Sequence, residues 1–442
     1  VLASVDWEQK FPLVTVQALS RGISDHTPLL VDSGEATHLG NKNSFSFELA
    51  WFEREGFFDL IAREWAKDAG GKTALQRWQN KIRHLRSFLR GWAKHLSGIY
   101  KVEKERLLSL IQSLDVKAET TVLPAAELHA KLDAEMRLKE LLREEESKWA
   151  LRAKVRRVVQ GDANTQFFHM IANGKHRKKR IFQLEQDEGA ILGQENLKLY
   201  ITEYYKQLFG PPEDNYVSLD ESRVEDVPQL TEVENDILAA PFSEKEVFEA
   251  ISQMKNNKAP GPDGFTGRFY ATCWPIIRDD FMRAMDQRFT GDARGLSAIN
   301  RAVVTLLPKK AGVLDLKDYR PVSLIHSVAK IFDKVLATRL VEELPFLVGN
   351  HQSAFVKGRS LHDNFMLVQS TMRRLYPLKD PTVLLKLDIS KAFDTVKWPF
   401  LLEVMARMGF GRKWITCICG LLATSTTKIA VNGVPGDTIY NA

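Results

Sequence analysis

Hydrophobic and polar positions along the chain change period several times, and each change marks an element. Leu75, Trp78, Ile82, Leu85, Leu89, Trp92, Leu96 and Ile99 recur in alternating three- and four-residue steps, the seam of a coiled coil or helical hairpin. A second helical run carries Leu128, Leu132, Met136, Leu142 and Trp149, with Pro124 as its N1 residue. The break at residues 119–123 lets the two helices fold back as an antiparallel pair. A dimerisation coil would keep its heptads, but this run breaks near Glu103, so the pattern favours an intramolecular spacer. Ser243-Glu244-Lys245-Glu246 is a capping box ahead of a helix with Val247, Phe248, Ile251 and Met254 on its apolar side. Pro260-Gly261-Pro262-Asp263-Gly264 forces a tight turn, and Val303–Leu307 reads as a strand. Val383–Asp388 reads as a buried strand closed by a carboxylate, with Val383, Leu385 and Leu387 on one face and Leu384, Lys386 and Asp388 on the other. From Ser390, an N-cap, the pattern turns helical through Phe393 and Val396. Pro399 begins another helix (Leu402, Met405, Met408) that Gly409 terminates, and Thr427–Val434 reads as a hairpin with an Asn432-Gly433 turn.

The chain has 442 residues, enough for two or three domains, and its 44% hydrophobic and 27% charged residues are those of a folded protein. No apolar run approaches the ~18 residues of a membrane span. Cys273, Cys417 and Cys419 show neither metal spacing nor a disulfide framework, which suits a reducing, intracellular setting, nuclear or cytoplasmic. The start, Val1-Leu2-Ala3-Ser4, has no initiating Met and no signal-peptide plan, so an internal fragment of something longer is expected. The net charge of +6 is mild, but its placement is not even. Arg152, Lys154, Arg156 and Arg157 precede Phe167-Phe168, and Lys175, His176, Arg177, Lys178, Lys179 and Arg180 follow. Such a cluster suits phosphate contact with RNA or DNA, against the plainer reading of a solvated basic face; the two rings read as core.

A carboxylate at a strand end, as at Asp388, is a rigid place to hold a divalent cation, although a lone Asp more often caps a turn. Four blocks decide between these readings. Leu387-Asp388-Ile389-Ser390-Lys391-Ala392-Phe393-Asp394 resembles the first catalytic motif of LINE-type (non-LTR) retrotransposon reverse transcriptases, most of all those of plants. Asn257-Lys258-Ala259-Pro260-Gly261-Pro262-Asp263-Gly264 is similar to the signature opening their polymerase domain. Leu306-Leu307-Pro308-Lys309-Lys310 with Asp318-Tyr319-Arg320-Pro321-Val322-Ser323 resembles their fingers motif, and Gln352–Ser360 the next one. Upstream, Ser24-Asp25-His26 resembles the closing motif of the exonuclease-endonuclease-phosphatase family, where the Asp orients a His at the scissile phosphate; a simple turn is the alternative.

The resemblance implies a fold and a set of roles. The expected fold class is α+β and multidomain, a helical connector followed by a partial right-hand polymerase with fingers and an incomplete palm. The implied boundaries are an endonuclease remnant at 1–32, a linker at 33–73 whose Phe45, Phe47, Trp51, Phe52, Phe57 and Phe58 suggest local packing and not a flexible tether, a basic helical connector at 74–180, a linker region at 181–242 and the polymerase segment at 243–442. Lys309 and Arg320 would meet the incoming deoxynucleoside triphosphate, with Lys310 as a substitute for Lys309, and Phe393 would exclude the sugar 2′-OH. Asp388 and the Ile389 carbonyl would form the first part of a Mg²⁺ cage. The implied partners are an RNA template and a DNA primer or target. The rest of that cage comes from a paired-Asp hairpin, and no aromatic-x-Asp-Asp block follows Asp388; Asp394 and Asp437 stand singly. A poor polymerase or none is therefore expected, with a noncatalytic nucleic-acid-binding remnant as the alternative and a coiled-coil scaffold as a weaker third.

Overall fold

A computed structural model describes residues 15–18, 29–32, 45–153, 181, 183–186, 189–210, 218–220, 227–254, 259–292, 294–310, 313–379, 383–389 and 396–441, with side chains of the helix at 125–153 described through Glu144. Residues 1–44 with 432–434 form one unit, and residues 45–431 with 435–442 the other. In the first unit β1 (Thr15–Ala18) and β2 (Leu29–Asp32) pair antiparallel, Thr15 opposite Asp32.

The second unit is a mixed α+β structure dominated by helices. Its principal core begins earlier than the sequence boundaries suggest. Phe47 packs on Trp51 and on Phe269, ring centroids 5.1 Å and 5.0 Å away, and its N–H donates to the Gly264 carbonyl at 2.8 Å. Residues 45–73 are thus not a linker. They carry α1 (Phe57–Trp65), whose Phe57, Ile61 and Trp65 are buried.

Thr73 caps α2 (Ala74–Ala118), its hydroxyl accepting from Gln76 N–H at 3.2 Å. The expected seam is real in its first half: Leu75, Trp78, Ile82, Leu85 and Leu89 are all buried. They face α8 (Trp274–Phe289), where Trp78 meets Phe281 edge-on at 5.0 Å and the Lys81 ammonium pairs with Asp280 at 2.7 Å. Further along, the helix changes partner without breaking. Leu107 and Leu114 pack with Ala134, Leu138 and Leu141 of α3 (Ala125–Ala153). The pairs Glu103–Arg137, Asp115–Lys131 and Lys117–Glu127 set the two helices antiparallel, as one number rises while the other falls.

The helix continues past Glu103 to the expected break at 119–123. One detail differs from the sequence reading: Leu128, Leu132 and Met136 are exposed. The stripe that meets α2 is the neighbouring one, Ala134, Leu138 and Leu141. A boundary at 73–74 therefore cuts through a shared core, and half of α2 belongs with residues 230–348.

Residues 181–242 are likewise not a linker throughout. β3 (Gln183–Gln186) and β4 (Gly189–Leu192) form a hairpin, and α4 (Gln194–Phe209) follows. Leu197, Ile201 and Tyr205 of α4, at helical spacing, cover a sheet of order β6-β5-β7-β8. Its strands are β5 (Arg301–Pro308), β6 (Tyr319–Ile325), β7 (Thr426–Val431) and β8 (Val434–Tyr440). β5 pairs antiparallel with β6 and parallel with β7, and Val304 and Leu306 point into the core. The turn joining β7 and β8 has Asn432 and Gly433 at φ 53° and 87°, the left-handed pair that an Asn-Gly hairpin needs.

Short helices complete the unit. α5 (Glu232–Ala239) and α6 (Glu244–Ser252) each open with a capping box, at Thr231/Glu234 and Ser243/Glu246. α7 (Gly267–Thr272) and α9 (Leu296–Ile299) flank α8 in sequence, and α10 (Ser327–Leu347) packs on α6 and α5. Arg339 of α10 clamps Glu246 through two hydrogen bonds of 2.6 Å and 2.9 Å, and donates to the Leu238, Ala240 and Pro241 carbonyls. α11 (Leu361–Leu375) buries no residue; α12 (Trp398–Arg407), ended by Gly409 at φ 74°, and α13 (Arg412–Ala423) lead into β7.

Val383–Asp388 is the clearest correction. It joins no strand and is exposed, Val383 at 90%. A strand needs a free edge, and both outer strands of the sheet carry a proline, Pro321 in β6 and Pro435 in β8. Proline withholds a ladder N–H and blunts an edge against addition. The helix expected from Ser390 lies outside the described residues.

Candidate nucleotide-binding ribbon

The β5–β6 ribbon places the two cations that the sequence singled out. Its register sets Leu307 opposite Arg320 and Pro308 opposite Tyr319, and Lys309 N–H continues the ladder to the Asp318 carbonyl at 2.9 Å. Opposed residues share a face and alternate residues return to it, so Arg320 and Lys309 stand on one face of the ribbon end. Both are exposed.

The connecting turn is locally determined. Asp315 accepts from Lys317 N–H at 2.8 Å, opening a 3₁₀ turn at Leu316–Asp318, and the Tyr319 hydroxyl donates to the Val313 carbonyl at 3.1 Å. The Lys309 ammonium donates to the neutral Lys317 carbonyl at 2.7 Å. Lys310 instead pairs with Asp318 at 3.3 Å, which makes Lys309 the better available cation. Two exposed cations on a rigid ribbon can neutralise a polyphosphate chain.

Asp388 presents its carboxylate to solvent within the extended Val383–Ile389 stretch. Among the described residues, no three His, Cys, Asp or Glu side chains gather as a metal site. One carboxylate with the Ile389 carbonyl does not make a two-ion cage, so the donors present do not fit a Mg²⁺ pair by themselves. Phe393, Asp25, His26, Arg156, Arg157, Lys175, Arg177, Lys178, Lys179 and Arg180 lie outside the described residues.

Sequence reasoning missed the most connected polar group near this ribbon, Asp263. Its side chain is 3% exposed, yet it is thoroughly hydrogen-bonded. It accepts from Ser327 N–H at 2.7 Å, Phe265 N–H at 3.2 Å and the Tyr270 hydroxyl at 3.4 Å. The carboxylate thereby caps α10 from a distance, since His326 at the N-cap supplies no side-chain cap. His326 Nδ1 lies 4.0 Å from Asp263. Burial holds that imidazole below its ordinary 6.5, against the pull of Asp263 and with help from Arg301, Arg86 and Lys330. The turn itself needs its glycines: a Cβ on Gly261 would stand 2.0 Å from the Ile325 carbonyl oxygen, and Gly264 has φ 82° with Phe45 against it. The Asp in Pro-Gly-Pro-Asp-Gly was therefore legible as a turn residue, while its partner 64 residues away was not.

The family model for reverse transcriptase (RNA-dependent DNA polymerase) matches residues 307–437, which begins on the ribbon and ends in the β7–β8 hairpin. Residues 307–437 are thus similar to reverse transcriptases, in keeping with the LINE-type (non-LTR) resemblance. The chain is 27% identical over 420 residues to the transposon TX1 149 kDa protein of Xenopus laevis, covering 92% of this chain and 31% of the relative. It is 24% identical over 202 residues to the Pol polyprotein of the type-1 retrotransposable element R2 of Nasonia vitripennis, covering 46% of this chain and 19% of the relative. It is 28% identical over 175 residues to a probable RNA-directed DNA polymerase from transposon X-element of Drosophila melanogaster, covering 36% and 18%. The chain thus spans less than a third of these relatives. Lys309, Arg320 and Asp388 fall within the matched reverse transcriptase segment, and Asp263 lies before it. No helix among the described residues is long and apolar enough to cross a membrane.

Proposed function

We propose that this chain supplies the fingers and the first half of the palm of an RNA-directed DNA polymerase, binding a deoxynucleoside triphosphate and an RNA template with its DNA primer or target. Lys309 and Arg320 neutralise the triphosphate, and Phe393 selects a deoxyribose. The observation that carries this reading is the shared ribbon face of Lys309 and Arg320, within the segment matched to reverse transcriptases. The basic residues Arg156, Arg157, Lys175, Arg177, Lys178, Lys179 and Arg180 add phosphate contacts, and Asp25 with His26 is the tail of an endonuclease.

Joining nucleotides asks for more than these residues offer. Asp388 and Ile389 contribute donors to a Mg²⁺ site that further carboxylates must complete. The 442-residue polypeptide accordingly binds template–primer without extending it. The test is an RNA-templated primer-extension assay with all four deoxynucleotides and Mg²⁺, alongside binding measured at several salt concentrations. Salt-sensitive binding without extension is expected. Extension that disappears in Asp388→Asn would show a self-sufficient polymerase and overturn the binding-only reading. Failure to bind template–primer at all would overturn the proposal as a whole.

A further inference from the structure

Beside the Asp263 turn lies a cavity of about 310 Å³ between α6, α7 and α10. One wall is apolar, made by Met254, Pro260 and Phe265; Gln253 stands at the mouth. Lys330 and Lys334 of α10 line it as well, four residues apart and therefore on one helix face. Among the described residues neither ammonium has a carboxylate within 4.0 Å. Lys330 is half-buried, and burial pulls its pKa below the ordinary lysine value. The buried carboxylate nearest to it in the fold, Asp263, is already committed to Ser327, Phe265 and Tyr270.

An unpaired, half-buried ammonium is costly unless an anion visits it. A cavity lined by apolar side chains, one half-buried cation and one exposed cation suits a ligand with a flat apolar body and an attached phosphate. That is the chemistry of a nucleotide whose base has left its stack. The volume is at the lower end for small-ligand pockets, enough for about one base with its sugar.

We propose that this cavity holds one unstacked nucleotide of a single-stranded RNA, its base against Met254, Pro260 and Phe265 and its phosphate between Lys330 and Lys334. The proposal rests on the RNA-templated reading above and deepens it, naming a strand-holding subsite apart from the Lys309–Arg320 ribbon.

The test uses the full chain and a 4-thiouridine-bearing oligo(U) of about 12 nucleotides, with an abasic ribose-phosphate oligomer of equal length for comparison. Three variants are compared with the parent: Lys330→Met with Lys334→Met, Gln253→Trp at the mouth, and Lys309→Ala with Arg320→Ala. Photocrosslinks mapping to residues 250–267 are expected, with oligo(U) affinity falling about fivefold in the double Met variant as two phosphate contacts go. Gln253→Trp should lose the crosslink and bind oligo(U) no better than the abasic oligomer, while the ribbon variant keeps the crosslink. Crosslinks elsewhere, with affinity unchanged in the first two variants, would overturn the subsite and leave the polymerase reading standing. Equal binding of abasic oligomer and oligo(U) by the parent would overturn the base-in-cavity assignment. No RNA binding by the parent would overturn both.

Discussion

The β5–β6 ribbon and the Leu361–Ile389 stretch carry similar local signals and end up in opposite environments. In the ribbon, alternation at Val304 and Leu306 is matched by burial under α4 and against Val313, Leu316 and Ile429. In the second region α11 buries nothing, and Leu384, Leu385, Leu387 and Ile389 all face solvent. The sequence in both places asks for a partner, but only the ribbon finds one among the described residues. Periodicity reports which side chains favour leaving water; it does not say what will cover them. Exposed apolar surface of this extent is a binding surface or an aggregation risk.

The largest test of the contrast is truncation on each side of it. Phe332, fully buried under Phe242 in the α10 core, should lose about 3–5 kcal/mol of stability on Phe332→Ala. Leu385→Ala, in the exposed stretch, should stay within about 0.5 kcal/mol, both read from denaturant midpoints. A comparable loss at Leu385 would mean that the stretch is packed in solution, and the contrast would fail.

A smaller effect is expected at the polar join behind the ribbon. Asp263→Ala leaves the Ser327 N–H and the Tyr270 hydroxyl without their acceptor and should cost about 2–3 kcal/mol. Asp263→Asn should recover part of that, since an amide oxygen still accepts from Ser327. A neutral outcome for Asp263→Ala in urea unfolding would remove Asp263 from the scaffold.

The smallest effect is in pH. His326 holds its proton less readily when folded, because burial lowers its pKa below 6.5. Its contribution to stability is therefore whole at high pH and is lost as pH falls below the unfolded value of about 6.5. Melting temperatures taken between about pH 7.5 and 5.5 should fall more for the parent than for His326→Gln. Equal slopes would say that His326 titrates alike in both states.

Much of the local structure was legible before any coordinates. The Ser243 capping box, the β5 strand, the Gly409 stop and the Asn432-Gly433 turn each depend on a few neighbouring residues, and each formed as read. Lys309 and Arg320 were singled out by the resemblance to the fingers motif, and the ribbon register sets them on one face. What the sequence did not disclose depends on distant partners. The aromatics at 45–58 signalled packing, but not that Phe47 would meet Phe269 and join the principal core. Asp263 needed the N-terminus of α10 to reveal its role. The α4 helix could have been read from Leu197, Ile201 and Tyr205, but its task of covering a sheet could not. The strand expected at Val383–Asp388 is the instructive failure: its signal is local, while the edge it would need is not offered by Pro321 or Pro435.

The most direct measurement of the central claim is a dTTP titration of the folded chain and of Lys309→Ala and Arg320→Ala, followed by fluorescence or calorimetry. Each substitution should weaken binding about tenfold, the value of one charge-assisted contact, and thymidine itself should not compete. Unchanged dTTP affinity in both variants would contradict the assignment of the ribbon face to the triphosphate.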